Sequence, residues 1–326
     1  MLIRRPTSAH STTLTRDPIN ARPISILPGQ NLGQNTLSHH QKWRNPLVIW
    51  MIRARREFLL FSRQGLSVGW LARRGREMLQ PNQRSTLESE MIDLYAMGSP
   101  NVVKVYIALE EMGLPYTVHP VDVFGEGQFK PEFLRLNPVA KVPVITDHDG
   151  PGGTPYTLFE SGAILLYLAE KTGQFVPKDP IARFNTIQWM MVQMTLVGPM
   201  FGQYVHFTRF APKGNDYSLD RYRTQVRRAL EVLEERLAEV PFLGGESYSI
   251  ADIATFPWAR NVGTFLGKPA EADYPKLIRW VASIAARPAV ARALAAVDDV
   301  RTKTTQFDNA GAEAMDRLFG RGRFAA

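Results

Sequence analysis

The 326-residue chain contains no cysteine. That absence excludes structural disulfides, Cys-ligated zinc, iron–sulfur clusters and any protein thiol as a nucleophile, while leaving the redox compartment undetermined. Also missing is an uninterrupted run of about 20 apolar residues able to cross a bilayer. The apolar stretch 46–52 is cut by Arg53, Arg55 and Arg56 before it resumes at Phe58. Acidic residues are scarce in one region only. Residues 1–90 carry 14 Lys+Arg against 5 Asp+Glu, whereas residues 91–326 carry 25 against 26. The net charge of +8 therefore belongs to the first quarter, and the rest has little electrostatic reason to hold nucleic acid or an anionic membrane. With 44% hydrophobic and 10% aromatic residues a substantial core is expected, and the length suggests two domains.

Residues 1–45 are rich in Ser, Thr, Asn, Gln and Pro without an apolar period, and are expected to be disordered. Residues 47–71 could form an amphipathic surface helix. The segment is Arg-rich like a transit peptide but lacks the early position and cleavage pattern of a secretory signal. The basic, low-order extension 1–90 is read as functionally inert, upstream sequence translated ahead of an expected true start at Met91, with a membrane or nucleic-acid tether as the alternative.

From Met91 the pattern changes. Residues 92–96 alternate as a strand, and 101–111 carry Val102, Val105, Tyr106 and Leu109 at helical spacing up to Gly113. A second strand over 116–121, a short helix over 131–136, strands over 141–145 and 156–159, and a helix over 161–171 complete an order βαβ then ββα. That order predicts a thioredoxin-like layer over residues 91–174, whose first half needs a parallel pair with a right-handed crossover. Beyond Pro177 only helical patterns follow: a long helix from 181 interrupted at Gly198-Pro199, one over 218–240 capped by Ser218, one opened by Ser249-Ile-Ala-Asp252, then 274–285 and 288–297. The fold class is thus an α/β layer followed by an all-helical domain over 178–300, with a loosely ordered tail over 301–326.

Five local motifs stand in order along this pattern: Ser99-Pro-Asn101, Gly127-Gln128-Phe-Lys-Pro-Glu-Phe133, Asn137-Pro-Val-Ala-Lys141-Val-Pro143, Phe159-Glu-Ser-Gly-Ala163 and Ser249-Ile-Ala-Asp252. With Leu196-Val-Gly-Pro-Met200 they give a chain that over residues 91–298 resembles the cytosolic glutathione transferases, most closely the bacterial nu class, which includes glutathione-dependent disulfide-bond reductases. The resemblance implies glutathione as cosubstrate, no metal, a small electrophilic or disulfide second substrate, a homodimer, and a cytoplasmic location. It implies neither a nucleic-acid nor a membrane partner.

Glutathione presents two carboxylates, one ammonium and one thiol, so its site needs an acid, several donors and a stabiliser for the thiolate. By resemblance, Glu160 pairs the γ-glutamyl ammonium, while Ser161 and the following helix N-terminus hold the adjacent carboxylate. The resemblance further implies a cis bond before Pro143 that turns the Val142 backbone toward the cysteinyl residue, and a Gln128 that reaches the glycyl end, where Lys141 would add positive charge. Arg221 matches a glutathione-contacting arginine. Ser99 and Asn101, where the first strand meets the first helix, are the expected catalytic pair. Lowering a thiol pKa by about two units takes about 2.7 kcal/mol, within reach of two aimed hydrogen bonds and a helix N-terminus. Each residue also has a plain reading: Ser99, Asn101 and Ser161 as helix caps, Pro143 as an edge-strand proline, Gln128 as an ordinary loop residue, Lys141 and Arg221 as surface residues. A noncatalytic interaction module with this fold is the alternative function. Met190, Met194, Phe201, Tyr204, Phe207 and Phe210 are candidates for an apolar substrate wall or for plain core. Tyr95 is expected in the core. His206 and the turn Asp147-His-Asp149 are read as surface.

Overall fold

A computed structural model of the chain describes residues 91–325. The expectations for the extension 1–90 lie outside the described residues. Strand β1 (Ile92–Ala96) buries Ile92, Leu94 and Ala96 on one face, as its alternation predicts. Helix α1 (Pro100–Met112) follows with proline in its first turn and ends at Gly113, whose φ of 67° is the left-handed cap that glycine adopts without a Cβ clash. After β2 (Tyr116–Pro120) come α2 (Pro131–Leu136), β3 (Val144–Asp147), β4 (Tyr156–Phe159) and α3 (Ser161–Thr172). The sheet order is β2-β1-β3-β4, with β1 parallel to β2 and the other pairs antiparallel. The α1 and α3 side of the sheet joins the main core through Ile92, Leu94, Ile145, Ile164 and Leu165. A smaller cluster of Val121, Phe133 and Val144 holds α2 against the other side, with Tyr95 partly buried beside it. β3 starts at Val144, not at Lys141. Asn137 ties the preceding loop instead, its amide donating to Lys141 O (2.7 Å) while its Oδ1 accepts from Val139 N (2.9 Å).

The helical part comprises α4 (Pro180–Val192), α5 (Gly198–Arg209), α6 (Asp216–Glu239), α7 (Ile250–Ala259), α8 (Val262–Leu266), α9 (Pro275–Ala285), α10 (Pro288–Arg301) and α11 (Ala312–Phe319). Gly198-Pro199 does not break the chain direction as expected. A π-helical turn (Gln193–Val197) joins α4 to α5, and Pro199 falls in the first turn of α5, where its missing N–H costs little. α6 begins two residues before Ser218, after Asn215. Helix α7 carries the expected capping box: Asp252 is fully buried and accepts from Ser249 N (3.0 Å), Ser249 Oγ (2.9 Å), Leu243 N (2.9 Å) and Trp280 Nε1 (3.0 Å). The two layers share one hydrophobic core, because α1 packs on α7 and α10 as well as on α3. Bidentate Arg287–Glu111 contacts (2.5 and 2.8 Å) and Arg292–Glu110 (2.7 Å) line that seam.

The tail corrects an expectation. It is not loose: Thr305 N and Oγ1 donate to Asp122 (3.0 and 2.7 Å), and Phe307 packs between Phe124 and Phe210. α11 buries Met315 and sets Phe319 against Phe210 and His206. The sequence pattern hid this helix because its apolar residues meet aromatics from distant segments. Among the described residues no single helix is long and apolar enough to cross a membrane.

Candidate functional site

Strand register decides which segments meet. Tyr95 of β1 sits opposite His119 of β2 and Val144 of β3, and Val144 sits opposite Phe159 of β4. The chain just after Tyr95, just before Val144 and just after Phe159 therefore emerges at one end of the sheet. Those three places hold Ser99 with Asn101, Val142-Pro143, and Glu160 with Ser161. The Gln128 turn follows β2 from the same end. Lys141 lies exposed beside Val142. Topology alone gathers eight of the nine expected site residues. Arg221 is exposed on α6, an element packed on α5 and α9, and no described contact ties it to this sheet end.

At the β1–α1 turn, Ser99 occupies the N-cap position of α1 but its side chain caps nothing, so the hydroxyl is not spent on the helix. Asn101 is exposed, and its Oδ1 accepts from Trp258 Nε1 on α7 (3.2 Å). The indole can only donate, which assigns the oxygen to that bond and leaves the Asn101 amide N–H groups turned away from it as free donors. The Val142-Pro143 bond is cis, and Val142 lies outside the β3 ladder.

Glu160 has φ 71°, a left-handed value uncommon for a residue with a side chain, and is exposed at the mouth of α3. Ser161 is buried, at the first position of α3, where unpaired helix N–H groups favour an anion. Behind it lies a residue the sequence reading passed over. Lys104 is 1% exposed, and its ammonium donates to Gln193 Oε1 (2.7 Å) and Ser161 Oγ (3.3 Å). Burial brings Lys104 down to about 7, against the opposing pull of the Glu160 carboxylate. The available signal was one lysine amid the apolar run Val102 to Leu109.

Gln128 is wholly buried with neither amide atom partnered. An orphaned buried amide costs free energy unless a partner completes it. Of the candidate wall, Met190, Phe201 and Tyr204 are plain core, whereas Met194 lies against Ser161 and Lys104. The Asp147-His-Asp149 turn is a surface feature only in part: Asp149 is exposed and His148 half-buried, but Asp147 is buried and accepts from Tyr167 Oη (2.6 Å) and Lys171 (2.9 Å). His148 and His119 both contact the Asp93 carboxylate at 2.8 Å. His206 is half-buried, and burial, then Arg321, hold it below the usual histidine value. Among the described residues no cluster of three or more His, Asp or Glu could hold a metal ion.

The glutathione S-transferase N-terminal domain family model matches residues 98–171, and the C-terminal domain model matches residues 192–288. The disulfide-bond oxidoreductase YfcG of Escherichia coli is 47% identical over 206 residues, covering 63% of this chain and 94% of its own. The chain belongs to the glutathione S-transferase family. A glutathione transferase from Burkholderia graminis, solved with two glutathione molecules bound per subunit, is 50% identical with a TM-score of 0.60, over 63% of this chain and 88% of that one. One from Pseudomonas putida, with one glutathione disulfide per subunit, is 44% identical with a TM-score of 0.60, over 63% and 91%. The family's two-part architecture is the one the strand register and helix order show here, and the part of the chain it spans begins with the turn that carries Ser99.

Proposed function

We propose that the chain is a glutathione-dependent enzyme that ionises the glutathione thiol between Ser99 and Asn101 and directs it at a disulfide sulfur. The observation that carries this reading is the convergence of the β1–α1 turn, Val142-Pro143 and Glu160-Ser161 at one sheet end, with Asn101 already oriented as a donor by Trp258. The Glu160 carboxylate suits an ammonium, and the α3 N-terminus with Ser161 suits a carboxylate. The Val142 backbone suits an extended peptide, and Lys141 adds positive charge for the glycyl carboxylate.

In the first step a glutathione thiolate forms a bond to one sulfur of the disulfide, and the other sulfur leaves as a thiolate that takes up a proton. A second glutathione thiolate then attacks the mixed disulfide at the glutathione sulfur. Glutathione disulfide forms and the second substrate thiol departs. Two electrons pass from two glutathiones to one disulfide, and the cysteine-free protein supplies no sulfur. The Burkholderia graminis relative with two bound glutathiones and the disulfide-bond oxidoreductase name of the Escherichia coli relative support this reading over simple addition to an electrophile.

Steady-state assay of the full chain with glutathione against a small disulfide and against a chlorinated aromatic tests it. Turnover of the disulfide, with two glutathiones consumed per disulfide, is expected. Turnover of the aromatic alone would make the protein a transferase, and lack of glutathione binding at millimolar ligand would leave a noncatalytic module.

The assembly we propose is a homodimer. Helix α4 presents Ile181 (76% exposed), Phe184 (67%) and Met191 (43%) along one stripe, an unusual amount of apolar side chain in water. Sedimentation of the full chain should give a dimer that Phe184→Glu converts to monomer. A cytoplasmic site of action follows from the need for reduced glutathione and is checked by cell fractionation.

A further inference from the structure

Among the described residues Lys104 is the only buried lysine, and it stands directly behind the Glu160-Ser161 turn. An ammonium has three donors and no acceptor. Here the three point at Gln193 Oε1 (2.7 Å), Ser161 Oγ (3.3 Å) and Met194 Sδ (3.8 Å). Gln193 and Met194 are consecutive residues, and both reach Lys104 because the π-helical turn begins there. The cost of burying a charge is not repaid by a carboxylate in direct contact, since all three acceptors are neutral. A role confined to stability would be met as well by an apolar side chain of the same length.

The polarity of the Ser161 contact is what gives the lysine a use. While Lys104 is protonated it can only donate, so Ser161 Oγ accepts and its own O–H is pushed elsewhere. Among the described residues the acceptor recorded for it is Met194 Sδ at 3.9 Å, a weak partner. The hydroxyl proton at the N-terminus of α3 is thus left available for an incoming carboxylate.

We propose that Lys104 is a positioning residue for the γ-glutamyl end of glutathione, filling a lone pair of Ser161 Oγ so that the hydroxyl proton faces the ligand's α-carboxylate, and anchoring that turn to the helical domain through Gln193. This deepens the glutathione reading above and rests on it. Lys104 touches no reacting atom. Its effect passes through Ser161 and through the field of its charge on the carboxylate, and it leaves the thiol end unaltered.

The test compares two ligands by calorimetry on the full chain: S-methylglutathione, and the analogue in which 4-aminobutanoyl replaces γ-glutamyl and so lacks only the α-carboxylate. Lys104→Met should weaken S-methylglutathione about tenfold, the usual weight of a hydrogen bond to a charged group, and change the analogue less than about twofold. Added to Ser161→Ala, it should cost at most about twofold more. In turnover, KM for glutathione should rise while kcat stays within about twofold. If both ligands weaken by one factor, or neither does, the lysine is structural and the proposal is overturned. Should Lys104→Met fail to fold, the parent protein decides: the Lys104 side-chain nitrogen resonance should shift with S-methylglutathione and not with the analogue, and equal shifts would refute the assignment. A parent that binds neither ligand would overturn the glutathione reading itself, and this inference with it.

Discussion

At the scale of the residue, the proposed site depends on donors whose direction is set by a neighbour that donates to them: the Trp258 indole, and Lys104 while it is protonated. Trp258 fixes the Asn101 amide as Lys104 fixes the Ser161 hydroxyl. Asn101→Ala removes a donor to the thiolate and should raise the pKa of bound glutathione by about one unit, equivalent to about 1.4 kcal/mol. An ultraviolet titration of the bound thiolate reads this directly. Trp258→Phe leaves the amide in place but free to turn, so a smaller rise, and about a threefold loss of kcat/KM near neutral pH, is expected. An unchanged titration curve in both variants would remove Asn101 from the mechanism. Neither Trp258 nor Lys104 was legible in the sequence as part of the site, because their contacts span 157 residues to Asn101 and 89 to Gln193. Local pattern marks where a helix begins and not what lies behind it.

Lys104 also makes a prediction about stability. Its folded pKa of about 7 lies below the value of about 10.4 in an unfolded chain. Below pH 7 both states hold the proton, and the folded state bears the full penalty of the buried charge. Between about 7 and 10.4 the unfolded chain binds more proton, so stability rises with pH as the penalty is relieved. Lys104→Met carries no such penalty. Relative to the parent, the variant should be at its greatest advantage below pH 7, and that advantage should shrink by a few kcal/mol as pH rises to about 10. Denaturant unfolding of both proteins at several pH values checks it, and a difference independent of pH would mean the ammonium is better solvated than its burial indicates.

At the scale of the element, strands and capped helices were legible where one face alone carries the signal. β1, β4 and α2 lie where alternation or helical spacing puts them, and the Ser249–Asp252 box opens α7 as its spacing requires. What was not legible depended on tertiary context. β3 starts late because Asn137 folds the preceding loop, and α5 follows α4 through Gly198-Pro199 because a π-helical turn accommodates the proline. The tail shows the same limit with a functional consequence. Thr305 bonds Asp122, Arg317 pairs with Glu126 (3.0 Å) and covers the Phe129 ring at 4.4 Å. These contacts brace the turn that carries Gln128. Truncation after Lys303 should therefore raise KM for glutathione several-fold with kcat nearly unchanged, and lower Tm by a few degrees, since each kcal/mol lost moves Tm by about 2–4 °C in a domain of this size. A truncated protein with the parent KM would show that the turn holds its shape unaided.

At the scale of the whole molecule, the feature that matters most is one the chain does not have. Enzymes that reduce disulfides through their own cysteine pass through a covalent protein–substrate disulfide, and thiol alkylation stops them. Here all reacting sulfurs must arrive with the ligands, because 326 residues include no cysteine. The body that holds the proposed site carries nearly balanced charge, with 25 basic and 26 acidic residues after residue 90, so the proposed reading assigns ligand charge to placed groups such as Glu160, Ser161 and Lys141 and not to a general field. Protein treated with excess iodoacetamide, then freed of reagent before glutathione and disulfide are added, should keep full activity. Mass spectrometry during turnover should find no adduct of glutathione or substrate on the protein, while mixed disulfides between glutathione and substrate accumulate in solution. Their formation should depend on the Asn101 side chain. Loss of activity after alkylation would point to a modified residue other than cysteine at the site, and a covalent protein–substrate intermediate would overturn the two-glutathione route.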